Sequence, residues 1–258
     1  MRSIALFCLI LVAAACSKKD KETASTNFIA FELVRVFPHD VTAFTQGLVI
    51  HNGKLYESTG QLGTSWIAEV DIATGKQQKK INLDKKYFGE GITILNNKIY
   101  QLTWQTHEGF VYDARTYEKL KNFEYPYEGW GITHNNQKLI VSDGTSKIHF
   151  LDTVTLKEES AITVKENGLE IDQLNELEYI DGFIYANLWQ TPFIVKINPT
   201  NGEVVGRLDL SSLAIEVSKF NGNFDVLNGI AYEKKSKVLL VTGKLWPVLF
   251  AIKLKENP

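Results

Sequence analysis

The chain has 258 residues, with 28 Lys and Arg against 30 Asp and Glu, a formal net charge of −2. That balance argues against nucleic acid as a partner, because phosphate binding draws on an excess of basic groups. Both of its cysteines, Cys8 and Cys16, lie at the extreme N-terminus, which excludes disulfides, thiolate metal sites and cysteine nucleophiles from the globular remainder.

In chain order, Met1-Arg2 precedes an apolar run from Ile4 to Val12 and the small residues Ala13-Ala14-Ala15 before Cys16. This is the pattern of a secretory signal peptide over residues 1–15. Small residues directly before a cysteine also resemble a bacterial lipoprotein cleavage box, with Ala13 where Leu is usual. Cys16 is therefore the expected lipidation site, and the apolar run is too short to span a bilayer, which takes about 20 residues. Residues 16–27, with Lys18, Lys19, Asp20, Lys21 and Glu22, lack apolar periodicity and are read as a flexible tether. The expectation is an exported protein held in the bacterial cell envelope, touching the membrane only through lipid.

Residues 28–258 are expected to form one domain. A tripeptide ending in an aliphatic residue recurs five times: Gln46-Gly47-Leu48, Glu90-Gly91-Ile92, Trp130-Gly131-Ile132, Asn175-Glu176-Leu177 and Asn228-Gly229-Ile230. The central residues are 44, 40, 45 and 53 positions apart, and repeats of roughly 40–50 residues built from short strands mark a β-propeller. Each tripeptide opens a strand, and turns such as Asn52-Gly53, Asn96-Asn97 and Asp181-Gly182 lead into a second. Third strands end on Asp71, Asp113, Asp152 and Asn198, where a short polar side chain serves hairpin chemistry. The fold class is all-β, a five-bladed propeller. The last repeat ends after three strands, so Phe31 to Phe37 is expected to complete it beside Val248 to Leu254 and close the ring. Leu213 to Phe224 accounts for most of the long interval. It is read as a surface insertion able to hold a short helix and to form part of a site wall.

Residues before the first strand of each blade and after its second meet at one face. The first set comprises Phe44, Gln46, Glu90, Trp130, Asn175 and Glu176; the second comprises Gly60, Trp104, Asp143, Trp189 and Lys244. The first position of the tripeptide varies among Gln, Glu, Trp and Asn, whereas a purely architectural role would repeat one residue. The shared glycines are read as architecture and their divergent neighbours as function. The five histidines show no close pair suited to metal, and no Ser stands in a Gly-x-Ser-x-Gly elbow. No cofactor is expected. From these residues alone, an enzyme and a non-catalytic propeller binding peptide or carbohydrate at the same mouth both remain open, although only an enzyme needs Glu90 and Lys244 on one face.

The segments AFTQGL, YESTG, YFGEGIT, EGWGIT, SDGTS, LNELEYIDG, ANLWQT, VLNGIAY and VTGKLWP, running from Val36 to the C-terminus, resemble the glutamine cyclotransferases of the plant and bacterial type. The resemblance implies a five-bladed, metal-independent enzyme converting N-terminal glutamine of peptides to pyroglutamate with release of ammonia. It places functional positions on Phe44, Gln46, Glu90, Asn175, Trp189 and Lys244. Glu90 and Lys244 are the expected catalytic pair, with Phe44, Gln46, Trp104, Trp130, Asn175, Glu176 and Trp189 binding substrate. A monomer is expected, with peptides or proteins bearing N-terminal Gln as partners.

Overall fold

The computed structural model describes residues 27–255. The expected leader, Cys16 and most of the tether lie outside the described residues.

Five four-stranded antiparallel sheets follow one another along the chain. Blade one runs Thr45–His51, Lys54–Thr59, Trp66–Asp71 and Lys76–Asn82 from the inside outward. Blade two follows with Gly89–Leu95, Lys98–Thr103, Glu108–Asp113 and Lys119–Glu124, and blade three with Ile132–His134, Lys138–Ser142, Lys147–Asp152 and Glu158–Thr163. Blade four is Leu174–Ile180, Phe183–Leu188, Phe193–Ile197 and Val204–Asp209. Blade five has Leu227–Glu233, Val238–Gly243 and Val248–Leu254 from the C-terminus, and Phe31–Pro38 as its outer strand. Closure thus comes as the incomplete last repeat required: Phe31 pairs with Leu254 and Pro38 with Val248, antiparallel.

Local chemistry explains the hairpins. Asn52 and Gly53 both take positive φ (52° and 75°), as do Asp181 and Gly182 (47° and 90°), the geometry of two-residue turns whose twist matches the strands. Asp71, Asp113 and Asp152 accept backbone N–H bonds from residues two or three positions on, as their placement at strand ends predicted.

Inner strands are buried along most of their length and outer ones exposed, so the core lies between blades, in aliphatic and aromatic clusters each shared by neighbouring sheets. The ring seam between blades five and one is also tied by His39. Its Nδ1 lies 2.7 Å from the Trp246 carbonyl and its Nε2 3.1 Å from Glu57 Oε1. Burial opposes charge on this imidazole, but the Glu57 carboxylate and the Trp246 carbonyl outweigh it and hold its pKa above the ordinary value.

The segment between blades four and five contains the helix Ser211–Ser218, which buries Leu213 and Val217. The insertion expected there is therefore helical over its first two turns.

At the axis the inner strands nearly touch. A Cβ on Gly47 would lie 2.5 Å from the Ile92 nitrogen, one on Gly91 2.7 Å from the Trp130 oxygen, and one on Gly131 2.2 Å from the Asn175 oxygen. These obstacles are backbone atoms, so they cannot swing aside. Gly91→Ala should accordingly force blades two and three apart, at about 1–3 kcal/mol or more for an overpacked site. The check is thermal denaturation, where a melting temperature equal to wild type would show that the axis has slack.

Candidate active site

In four blades the tripeptide forms an irregularity in the inner strand's pairing. Register shifts fall between Thr45 and Gly47, Gly89 and Ile92, Leu174 and Leu177, and Leu227 and Ile230. A bulge of this kind redirects the side chain at its extra residue. Here those residues are Gln46, Glu90, Asn175 and Asn228, and Gln46, Glu90 and Asn175 line one cavity of about 250 Å³. Its other walls are Phe44, Gln61, Phe88, Trp104, Trp130, Trp189 and Lys244.

The aromatic walls brace one another. Phe88 packs edge-on to Phe44 (6.0 Å between centroids) and to Trp104 (5.6 Å), and Trp130 meets Trp189 at 88° and 5.5 Å. Glu128 holds two of the indoles, accepting from Trp104 Nε1 at 2.7 Å and Trp130 Nε1 at 3.0 Å, while Gln105 donates to its other oxygen. Burial would raise the Glu128 pKa, but these N–H donors prevail and hold it below the ordinary value.

The polar groups form a directed chain. Asn228 Nδ2 donates to Gln46 Oε1 at 3.1 Å, and Gln46 Nε2 donates to Glu90 Oε1 at 2.9 Å. This order fixes the orientation of the Gln46 amide. Asn175 Oδ1 is buried and accepts no hydrogen bond from the described residues, leaving an acceptor at the cavity wall. Lys244 sits with Nζ 4.8 Å from the centroid of Phe44.

Glu90 and Lys244 are 4% and 5% exposed, and burial drives them in opposite senses. Loss of solvent pushes the Glu90 pKa well up, with the Lys244 charge opposing and Glu128 reinforcing. Burial likewise lowers the Lys244 pKa, with Glu90 and Asp225 opposing. Both groups are thus moved towards neutral pH, the range in which a side chain can both take and give a proton.

The expected residues Phe44, Gln46, Glu90, Trp104, Trp130, Asn175, Trp189 and Lys244 all come together here. Glu176 does not. Its carboxylate crosses the axis, accepting the Leu48 N–H at 3.2 Å and the Ile230 N–H at 2.8 Å, and so ties blade four to blades one and five. It stands where the other blades carry the axial glycine. Asp143 also turns away, towards His149 Nε2 at 3.2 Å. Gly60 contributes by absence, because a Cβ there would lie 2.2 Å from the Phe88 ring.

The whole chain between residues 5 and 254 matches the family model for glutamine cyclotransferase. The chain belongs to that family. It is 44% identical over 228 residues to the glutaminyl-peptide cyclotransferase of Arabidopsis thaliana, covering 87% of this chain and 71% of the plant protein. Among solved structures it is similar to Myxococcus xanthus glutaminyl cyclase, with 34% identity, a TM-score of 0.85, and coverage of 90% of this chain and all of the other. A Bacteroides caccae protein of unknown function, 15% identical with a TM-score of 0.51 over 64% of this chain and 66% of its own, shares the fold alone.

Sequence reasoning missed Gln61 and Phe88 as walls of this cavity and Glu128 as the residue that holds two of its indoles. Phe88 and Glu128 lay inside the motifs YFGEGIT and EGWGIT, so a signal was present. What was lacking was the direction of each side chain. Glu176 provides the complementary test. Glu176→Ala should leave two buried N–H groups unpaired, about 1–3 kcal/mol each, and lower the melting temperature while KM is maintained. A raised KM at unchanged melting temperature would return the residue to the substrate site.

Proposed function

We propose that this chain cyclises N-terminal glutaminyl residues of peptides to pyroglutamate, releasing ammonia, in the cavity around Glu90 and Lys244. The observation that carries the assignment to this cavity is the buried acid and base with opposed pKa shifts, inside aromatic walls, in a member of the glutamine cyclotransferase family. A propeller that only bound peptide or carbohydrate would give no reason to bury both charges together.

In the reaction the substrate's α-amine attacks its own side-chain carbonyl carbon. A ring C–N bond forms, the C–NH2 bond breaks, and the proton lost by the attacking nitrogen is returned to the departing one. Nucleophile and electrophile share one flexible side chain, so the first requirement is to fold it into an attacking conformation. Rigid aromatic walls do this without polar competition. The unpartnered Asn175 Oδ1 can accept an N–H of the substrate, and Gln46, held in one orientation by Asn228, helps align the amide.

Glu90 serves as the proton shuttle. Its raised pKa makes the carboxylate a stronger base towards the α-ammonium and leaves the resulting acid able to protonate ammonia as it departs. Lys244 supplies positive charge to the tetrahedral oxyanion or a proton to the leaving group, at a site where low solvent exposure strengthens each interaction. The reaction so written calls for no metal, and a chelator should leave its rate unaltered.

We further propose that the mature protein is an exported monomer held at the cell envelope by lipid on Cys16, supported by Ala13-Ala14-Ala15-Cys16 and the polar residues after it. Cys16→Ser should move the protein from the membrane fraction to the soluble one. Recovery of soluble, unlipidated wild-type protein would reject the anchor.

Glu90→Gln retains shape and hydrogen-bonding capacity but cannot relay a proton, and should reduce kcat about 10²–10⁴-fold without loss of fold. The kcat/KM profile against pH should be a bell. Its acidic limb should lie above the ordinary glutamate range, because Glu90 must lose its proton to act. Its alkaline limb should lie below the ordinary lysine range, because Lys244 must keep its own. Stopped-time ammonia assays on a Gln-initiated peptide check both, and near wild-type turnover by folded Glu90→Gln and Lys244→Ala proteins would remove these residues from the mechanism.

A further inference from the structure

Beside the aromatic cavity lies a second and larger one, of about 560 Å³, between blades four and five. It is bounded by the helix Ser211–Ser218, by Phe220 and Phe224 beyond it, and by Trp246. It opens on the same face as the catalytic cavity, since Gln190 follows the second strand of blade four, Asp225 and Val226 precede the first strand of blade five, and Trp246 follows that blade's second strand.

The two cavities adjoin on both sides. Gln190 is the chain neighbour of Trp189, one lining the groove and the other the catalytic cavity. Across from them, Lys244 N–H donates to the Val226 carbonyl and Asp225 N–H to the Lys244 carbonyl, while Trp246 Nε1 donates to the Asp225 carbonyl. Gln190 and Leu245, which directly follow Trp189 and Lys244, both hold φ of +63°, a conformation costly for residues other than glycine and retained where surrounding structure demands it.

The catalytic cavity is smaller than the roughly 300–1,000 Å³ of pockets that enclose drug-sized ligands. It suits one glutaminyl residue, and the rest of a peptide substrate has to leave across this face. We propose that the groove between blades four and five binds the residues that follow the N-terminal glutamine, selecting apolar side chains and rejecting acidic ones. This inference rests on the cyclotransferase reading of the neighbouring cavity. Apolar selection follows from Ile215, Phe220 and Phe224, which line the groove above the buried Trp246. Ile215 and Phe220 are 60% and 48% exposed, an arrangement that wastes apolar surface unless a ligand covers it. Rejection of acidic residues follows from Asp225, the one charged side chain among those lining the groove.

The test compares ammonia release from H-Gln-NH2, H-Gln-Leu-Leu-NH2 and H-Gln-Asp-Asp-NH2. The leucine peptide should exceed the simple amide in kcat/KM by about tenfold or more, the effect of burying one apolar side chain, chiefly through a lower KM. The aspartate peptide should fall below the leucine peptide by a larger factor. Ile215→Ser with Phe220→Ser, both at exposed positions, should bring the ratio of leucine peptide to amide towards one. Ser218→Trp, which fills the groove from its rim, should do the same and guards against a folding defect in the first variant. Equal kcat/KM for amide and leucine peptide in the wild type, or a ratio that survives in folded variants, overturns the groove assignment while leaving the cyclotransferase reading intact. Absence of ammonia from all three substrates overturns that reading, and the groove assignment with it.

Discussion

Five inner strands must converge on one axis, and backbone atoms of neighbouring blades come closer there than any side chain allows. Gly47, Gly91 and Gly131 permit that approach. Their neighbours are carried along with them: once each glycine is pinned against the next blade, the residue before it has to point out of the crowded axis towards the mouth. The register shifts at the tripeptides of Gly47 and Gly91 supply that redirection. One packing constraint therefore both closes the ring and delivers Gln46 and Glu90 to the same cavity.

Much of this could be read from the residues in order. The repeats were visible because four of the five tripeptides carry glycine at the same place, imposed by close backbone packing at Gly47, Gly91 and Gly131, and the hairpins because positive φ selects Asn and Gly. Closure by Phe31–Pro38 followed from counting strands in the last repeat. The face bearing the site followed from antiparallel geometry. Less legible were features that depend on what a side chain meets across the ring. Glu176 occupies the architectural position of its tripeptide, yet its chemistry suggested a site residue; only the Leu48 and Ile230 N–H groups across the axis reveal its structural use. Phe88 enters the cavity because Gly60, 28 positions earlier and unrelated to it by any repeat, leaves room for its ring. Glu128 matters through two indoles from different blades. None of these contacts leaves a periodic trace.

Rigidity in the cavity arises from mutual bracing. Phe44, Phe88 and Trp104 form one edge-to-face series, Trp130 and Trp189 another, and Glu128 links the two by bonding both Trp104 and Trp130. A ring that turned would lose contact with its neighbour and, for these two indoles, a charge-assisted hydrogen bond. For an intramolecular reaction this stiffness is a direct advantage, since restricting the substrate's rotations is most of the work that proximity can do.

Glu90 and Glu176 make the distinction between structure and chemistry physical. Both carboxyl groups are buried, both stand in the same repeated tripeptide, and burial raises the pKa of each. They differ in their partners. Glu176 spends one oxygen on each of two backbone N–H groups in opposing blades and lines neither the aromatic cavity nor the neighbouring groove. Glu90 receives one amide donor, from Gln46, and faces a cavity shared with Lys244. A carboxylate whose lone pairs are committed to the backbone cannot exchange a proton without unpicking the fold. One with capacity left, beside a cavity of substrate size, can change charge at little structural cost. Raised pKa alone would have selected both residues; the unfilled hydrogen-bonding capacity at the cavity selects Glu90.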